Sequence, residues 1–217
     1  MPIDLTASHA DAAAAQRTAA ATVASIVEAI AADGLAVARG AIPETLVRAL
    51  RDAGRQRDVA GEFHGAAVGR GAARIERTDV RGDRIRWLEP WDAQPAETAL
   101  FALVDALRVA VNEALYLGLF DFEGHYAIYP PGAGYARHRD RFRDDDARVL
   151  TLIVYLNDGW TDAHGGALRV ECGDGVTRDV APEGGTLVAF LSDRFPHEVL
   201  PASRERLAFT GWFRRRA

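Results

Sequence analysis

The chain has 217 residues, 48% of them hydrophobic, and a net charge of −5: enough apolar material for one sizeable core, and too acidic for a nucleic-acid binder. All 26 basic residues are arginine, and the single cysteine, Cys172, can form neither an intrachain disulfide nor a cysteine-based zinc site. This cysteine usage fits a reducing cytoplasm, and no apolar run approaches the length of a membrane span, so a cytoplasmic location without a membrane partner is expected. The alanine-rich N-terminus lacks a basic leading region and is interrupted by Asp4, Asp11 and Glu28. It reads as a helix over about residues 9 to 32, not as an export signal. Val23, Ile26, Val27 and Ile30 recur at helical spacing as one apolar stripe, and Asp33-Gly34 stops the helix. A short strand follows over residues 34–40. Pro43 suits the first position of a second helix running to Gln56, with Leu46, Val47 and Leu50 inward. Residues 57–82 are rich in Gly and Arg and weakly periodic, which predicts a loop or irregular hairpin. "RIRWLEP" is a short strand. A third helix spans Pro95 to Tyr116 with Leu100, Leu103, Val104, Leu107 and Val111 on one face.

Beyond residue 120 short β-rich runs follow one another, broken by Gly, Pro and Asp: "GHYAIYP", "YARHRD", "RVLTLIVYLN", "GALRVEC", "VTRDVAP", "GTLVAFL", "PHEVLP" and "RLAFTGWF". The expected class is α+β in one domain, with helical support over about residues 9–118 and a β core, sandwich or barrel, over about 120–213. In "RVLTLIVYLN" and "RLAFTGWF" both alternate faces are apolar, so helices should cover the outer face of one sheet.

Three features carry chemistry. His138 and Asp140 lie two residues apart, so on a strand end both would face one side and offer an imidazole nitrogen and a carboxylate oxygen to Fe(II) or Mn(II). Alone this pair decides nothing, because a chain with six His supplies such matches by chance. His197 and Arg206 lie nine residues apart, and a turn near Pro201 to Ser203 would set their strands side by side. Arg206, Ala208, Thr210 and Trp212 share a face. A buried arginine there needs a carboxylate, supplied either by a small molecule or by an acid elsewhere in the chain. Finally, Thr151, Ile153 and Tyr155 share a face, and a tyrosine hydroxyl in such an interior needs a partner; Tyr129 and Tyr135 pose the same question.

The order His-x-Asp, then His 57 residues on, then Arg nine further, in a strand-rich half after helices, resembles the Fe(II)- and 2-oxoglutarate-dependent oxygenases. Within them it is similar to the prolyl 4-hydroxylases of the oxygen-sensing type and their bacterial relatives. The matching segments are "RGDRIRWLEP", "IYPPGAGYARHRD", "TLIVYLNDGW", "GGALRV", "SDRFPHEVLPA" and "RLAFTGWF", closely over about residues 79–213.

The resemblance implies a distorted double-stranded β-helix of the jelly-roll type braced by N-terminal helices. It implies His138, Asp140 and His197 as iron ligands. Arg206 and Tyr155 would hold the distal carboxylate of 2-oxoglutarate, with Thr210 against the cosubstrate. Tyr129 and Tyr135 would line the pocket around the metal, Tyr129 on the cosubstrate side and Tyr135 toward the entrance. Trp212 is an aromatic residue of the site, and Asp83 and Arg148 a pair at its mouth. The implied reaction uses Fe(II), 2-oxoglutarate and O2, with ascorbate as an optional accessory, and hydroxylates C4 of a prolyl residue in a protein or peptide partner. The alternatives are an oxygenase of a free amino acid or other small molecule, and a cupin-like module that holds a metal without catalysis. The spacer "RFRDDDAR" and residues 60–78 depart from the family pattern, which bears on the substrate. Residues 60–82 are expected to form a lid hinged near Gly82 and steadied by an Asp83–Arg148 contact. His9, His64, His125 and His164 are expected to have no catalytic role, and Asp144 to Asp146 to be a solvated loop.

Overall fold

The computed structural model describes residues 5–68, 75–76, 80–141 and 146–216. Helix α1 spans Leu5–Asp33, α2 Glu44–Val59 and α3 Pro95–Leu115. On α1 the expected stripe is buried at Ile26, Val27 and Ile30. Pro43 sits at the N-cap of α2 rather than inside it, and the helix runs past Gln56. The extra turn carries Arg57, whose Nε and Nη2 each reach a carboxylate oxygen of Glu97 on α3 at 2.9 Å. Both side chains are buried, so this fork ties the two helices together. The α3 start is capped by Glu97 itself, which accepts the Gln94 N–H at 2.7 Å. Tyr116, in the left-handed region at φ 55°, ends it.

Strand β1 (Leu35–Ala38) lies between α1 and α2, and four short strands precede α3: β2 (His64–Gly65), β3 (Ala67–Val68), β4 (Ile75–Glu76) and β5 (Arg84–Leu88). Part of the expected loop is therefore paired, β2 on β5 and β3 on β4. Residues 69–74 and 77–79 of the expected lid, and Asp144 and Asp145 of the separate acidic cluster, lie outside the described residues. After α3 come β6 (Asp121–Tyr129), β7 (Tyr135–His138), β8 (Arg148–Tyr155), β9 (Leu168–Gly173), β10 (Val176–Val180), β11 (Leu187–Leu191), β12 (His197–Val199) and β13 (Arg206–Arg214). The large sheet has the order β1-β11-β8-β13-β6-β5-β2, and a smaller one β10-β9-β12-β7 faces it. This is the double-stranded β-helix braced by N-terminal helices.

Alternation divides the large sheet between two cores. Leu150, Leu152 and Val154 of β8 and Phe209 and Phe213 of β13 pack with α1 to α3. Ile153 and Tyr155 of β8, with Ala127, Tyr129 and Ala208, face Leu168, Val170 and Val199 of the small sheet. On the helix side, Gly124 and Gly211 are register partners, and a Cβ at either would strike Phe209 or Phe122.

One sequence expectation is overturned. β12 and β13 are not side by side: β12 pairs with β7 and β9, and β13 with β6 and β8. The connection crosses between sheets because its backbone finds partners elsewhere. Pro201 O accepts from Gly166 N at 3.0 Å, Ala202 O from Gly132 N at 2.8 Å, and Ser203 N donates to His164 O at 2.8 Å. His197 and Arg206 therefore look at each other across the space between the sheets. Among the described residues no helix is long and apolar enough to cross a membrane.

Candidate active site

The space between the sheets opens into a pocket lined on one side by His138, Asp140 and His197. β12 pairs with β7 so that His197 and His138 are register partners, with ring centroids 4.3 Å apart. β7 ends at His138, so Asp140 is not on the strand; it is buried in the bend beyond it. There its Oδ1 lies 3.6 Å from His138 Nε2 and its Oδ2 3.5 Å from His197 Nε2. One ligand atom from each residue lies within 4.8 Å of the other two.

The second ring nitrogens fix the tautomers. His138 Nδ1–H donates to Ala136 O at 2.8 Å and His197 Nδ1–H to Phe195 O at 3.0 Å, which leaves both Nε2 lone pairs turned toward Asp140. Tyr135 stacks on His138 at 3.6 Å between centroids. Burial alone would raise the Asp140 carboxyl. The two imidazoles and the Thr151 hydroxyl instead hold it below the usual carboxylate range. Burial, more than any other effect, pushes His197 down and so favours its neutral, metal-binding form. Two imidazole Nε2 atoms and a carboxylate on one side of an open pocket are a fitting donor set for non-haem Fe(II).

The far end of the pocket fits a carboxylate. Arg206 is only 2% exposed, and among the described residues no acidic side chain pairs with it. Its Nε donates to Gly166 O at 3.1 Å, which orients the fork, and the Tyr129 and Tyr155 rings flank the guanidinium at 5.1 and 5.0 Å. Tyr155 Oη is fully buried with no hydrogen-bond partner. Burial raises its pKa against the opposing pull of Arg206, so it remains a neutral donor. A buried phenol left unmet costs about 1–3 kcal/mol, and a buried guanidinium held by one backbone carbonyl still lacks a counter-charge; one carboxylate satisfies both. The dicarboxylic 2-oxoglutarate, with one end at the metal ligands and the other at Arg206, fits the residues present.

Thr210 and Trp212 line the same pocket, as expected. The entrance pair is a correction. Asp83 is buried and bound by Arg81 through bonds of 2.7 and 2.9 Å. Arg148 donates to Glu123 at 2.9 Å and lies 3.5 Å over the Trp212 ring. Glu123 and the indole face sit nearer to Arg148, while Asp83 has a guanidinium two residues away. Two further polar residues of the pocket, Arg81 and His125, are not marked by any sequence motif, and neither are the apolar Leu168 and Val199. His125 had a signal: it is four residues before Tyr129 on one strand and so shares its face. His164 caps a turn through its Nδ1, 3.0 Å from Thr161 N, and His64 is exposed on β2.

Comparison with known proteins agrees with this geometry. The profile of the 2OG-Fe(II) oxygenase superfamily matches residues 124–214. The human prolyl hydroxylase EGLN3 is 34% identical over 174 residues, covering 77% of this chain and 70% of that protein. Human Egl nine homolog 1 is 35% identical over 144 residues, covering 62% of this chain but 33% of its own length. A crystal structure of a Pseudomonas putida prolyl-4-hydroxylase superposes with a TM-score of 0.80 at 48% identity, over 90% of this chain and 100% of that one. A Trichoplax adhaerens prolyl hydroxylase, in complex with a hypoxia inducible factor oxygen degradation domain peptide fragment, gives a TM-score of 0.80 at 26% identity, over 92% and 91%. Fold and pocket thus define a metal-dependent oxidoreductase. The chain belongs to the 2OG-Fe(II) oxygenase superfamily, and its relatives there are prolyl hydroxylases. It is an enzyme whose cofactor is Fe(II) and whose cosubstrates are 2-oxoglutarate and O2.

Proposed function

We propose that this chain hydroxylates a prolyl residue at C4 within a protein or peptide, consuming 2-oxoglutarate and O2 and releasing succinate and CO2. The observation that carries this reading is a buried Arg206, with no acidic partner among the described residues, across the pocket from a cluster of two histidines and an aspartate, in a chain 48% identical to a prolyl-4-hydroxylase. His138, Asp140 and His197 hold the iron. When bound, Fe(II) supplies the O2 activation that oxidises an unactivated C–H bond. The Arg206 fork and the Tyr155 hydroxyl bind and orient the distal carboxylate, with Thr210 and Tyr129 beside the cosubstrate. Tyr135, stacked on His138, and Trp212 form the walls against which the prolyl ring lies, with Arg81 beside Tyr135. Closing these walls over substrate excludes water from the reacting centre. Ascorbate as an accessory reductant and a cytoplasmic location complete the reading.

The test is incubation of the Fe(II)-loaded protein with 2-oxoglutarate and proteins of its host, followed by mass spectrometry for one added oxygen on proline. Oxidised prolyl residues with matching succinate are expected. Succinate driven by free proline, with no protein oxidised, would move the substrate to the small-molecule class.

A further inference from the structure

Besides the Tyr155 hydroxyl, two buried polar atoms among the described residues have no hydrogen-bond partner: His125 Nε2 and Trp212 Nε1. Both residues line the pocket. Their exposures are 1% and 4%, and their ring centroids are 5.6 Å apart at 53°. The role of each nitrogen is fixed. His125 Nδ1 lies 3.0 Å from Tyr126 O, an acceptor, so Nδ1 carries the proton and Nε2 can only accept. Burial first, then Arg81, pushes this imidazole down to about 3, so it stays neutral at working pH. The indole N–H can only donate. The Arg148 guanidinium 3.5 Å over its ring polarises it into a stronger donor. Trp87, edge-on to His125 at 4.9 Å, backs the imidazole, and Thr210, its register partner on β13, adds a hydroxyl to the same wall.

A prolyl ring satisfies neither nitrogen, because it is apolar and its amide has no N–H. A carboxylate would meet the Nε2 lone pair with like charge, and an ammonium would meet the indole N–H. The group that fits both atoms is neutral and donates and accepts at one oxygen. We propose that His125 and Trp212 form a hydroxyl-binding subsite beside the oxidation centre, occupied by a held water molecule or by the alcohol the reaction installs. Only the second source rests on the prolyl reading.

The test is NMR on the protein labelled with ¹⁵N at His and Trp, loaded with 2-oxoglutarate and diamagnetic Zn(II), with the two sites assigned by His125→Leu and Trp212→Phe. A held water predicts an accepting His125 Nε2 shift and a downfield Trp212 indole proton with no peptide added. Each shift is lost when the other residue is replaced. The installed alcohol predicts that both resonances start at unbonded positions and move on adding N-acetyl-trans-4-hydroxyprolinamide, but not N-acetylprolinamide. His125→Gln, which returns an acceptor oxygen to the same wall, should restore the indole shift that His125→Leu removes, separating lost bonding from lost folding. Unbonded positions in every state, or shifts that survive both single replacements, would overturn the subsite. Failure of prolyl oxidation with the water signals intact would sink the substrate reading alone.

Discussion

Thr151 Oγ1 donates a 2.8 Å hydrogen bond to Asp140 Oδ2 and stands 2.9 Å from Ser192 Oγ. Its one proton is committed to the carboxylate, so Ser192 donates to it. Two buried hydroxyls, from β8 and from the turn just past β11, therefore orient a metal-facing carboxylate that its own strand does not reach. Thr151→Val keeps the shape and removes the donor. Fe(II) affinity should fall about 10- to 100-fold, as for other groups that orient a metal ligand. His138→Ala should abolish succinate formation while leaving the fold largely intact. A Fe(II) titration of Thr151→Val that overlays wild type would show the carboxylate to be held by other contacts.

Arg206→Lys keeps a cation in the pocket but loses the two-pronged fork. The KM for 2-oxoglutarate should rise more than tenfold, about 1.4 kcal/mol or more of lost charge-assisted bonding. Tyr155→Phe should give a smaller rise, because it removes one neutral donor. Steady-state succinate formation over a range of 2-oxoglutarate concentrations measures both. An unchanged KM in the lysine variant would place the distal carboxylate elsewhere.

Glu97 is fully buried and answers Arg57 from the neighbouring helix. Glu97→Ala leaves that guanidinium with Glu62, the Asp92 carbonyl and the Asp92 carboxylate 3.8 Å away, and uncaps the start of α3. Removing one partner of a buried pair should cost about 3 kcal/mol. The urea midpoint should drop sharply while 2-oxoglutarate affinity in the folded protein is retained. A midpoint within error of wild type would mean that Arg57 repairs the gap with its other acids.

Much of this was legible in the sequence because alternation and spacing are local. Leu150, Leu152 and Val154 against Thr151, Ile153 and Tyr155 announce a strand covered on both faces. His138, Asp140, His197 and Arg206 announce their chemistry by type and order. What was not legible depends on pairing between distant segments. Nothing near Pro201 or Ala202 says that the chain changes sheets there, since the bonds responsible come from Gly132, His164 and Gly166. Arg148 went to Glu123 rather than Asp83 because β6 and β8 flank β13 on either side, a neighbourhood no local pattern encodes. His125 stands alone as a histidine in the sequence, although its spacing from Tyr129 puts it on the pocket face.

Acid should act on this fold through that same histidine. An unfolded chain takes up a proton on His125 near pH 6.5, whereas the folded protein refuses it until about pH 3. Burial is the main reason, helped by the cations of Arg81 and Arg148 and opposed by Asp83. The folded value is depressed, so the unfolded state binds more protons throughout this window. Stability from burying the neutral ring is complete above pH 6.5. It is lost progressively as pH falls toward 3, at up to about 1.4 kcal/mol per pH unit. His125→Leu removes this proton uptake. Its unfolding free energy should fall less steeply with acid between pH 6.5 and 4 than that of the wild type, by up to one proton's worth of slope. The metal-facing histidines are common to both proteins, so their titration drops out of the difference. Urea unfolding at half-unit pH steps gives the two slopes. Parallel lines would mean that His125 is already protonated, or already reached by water, in the native pocket.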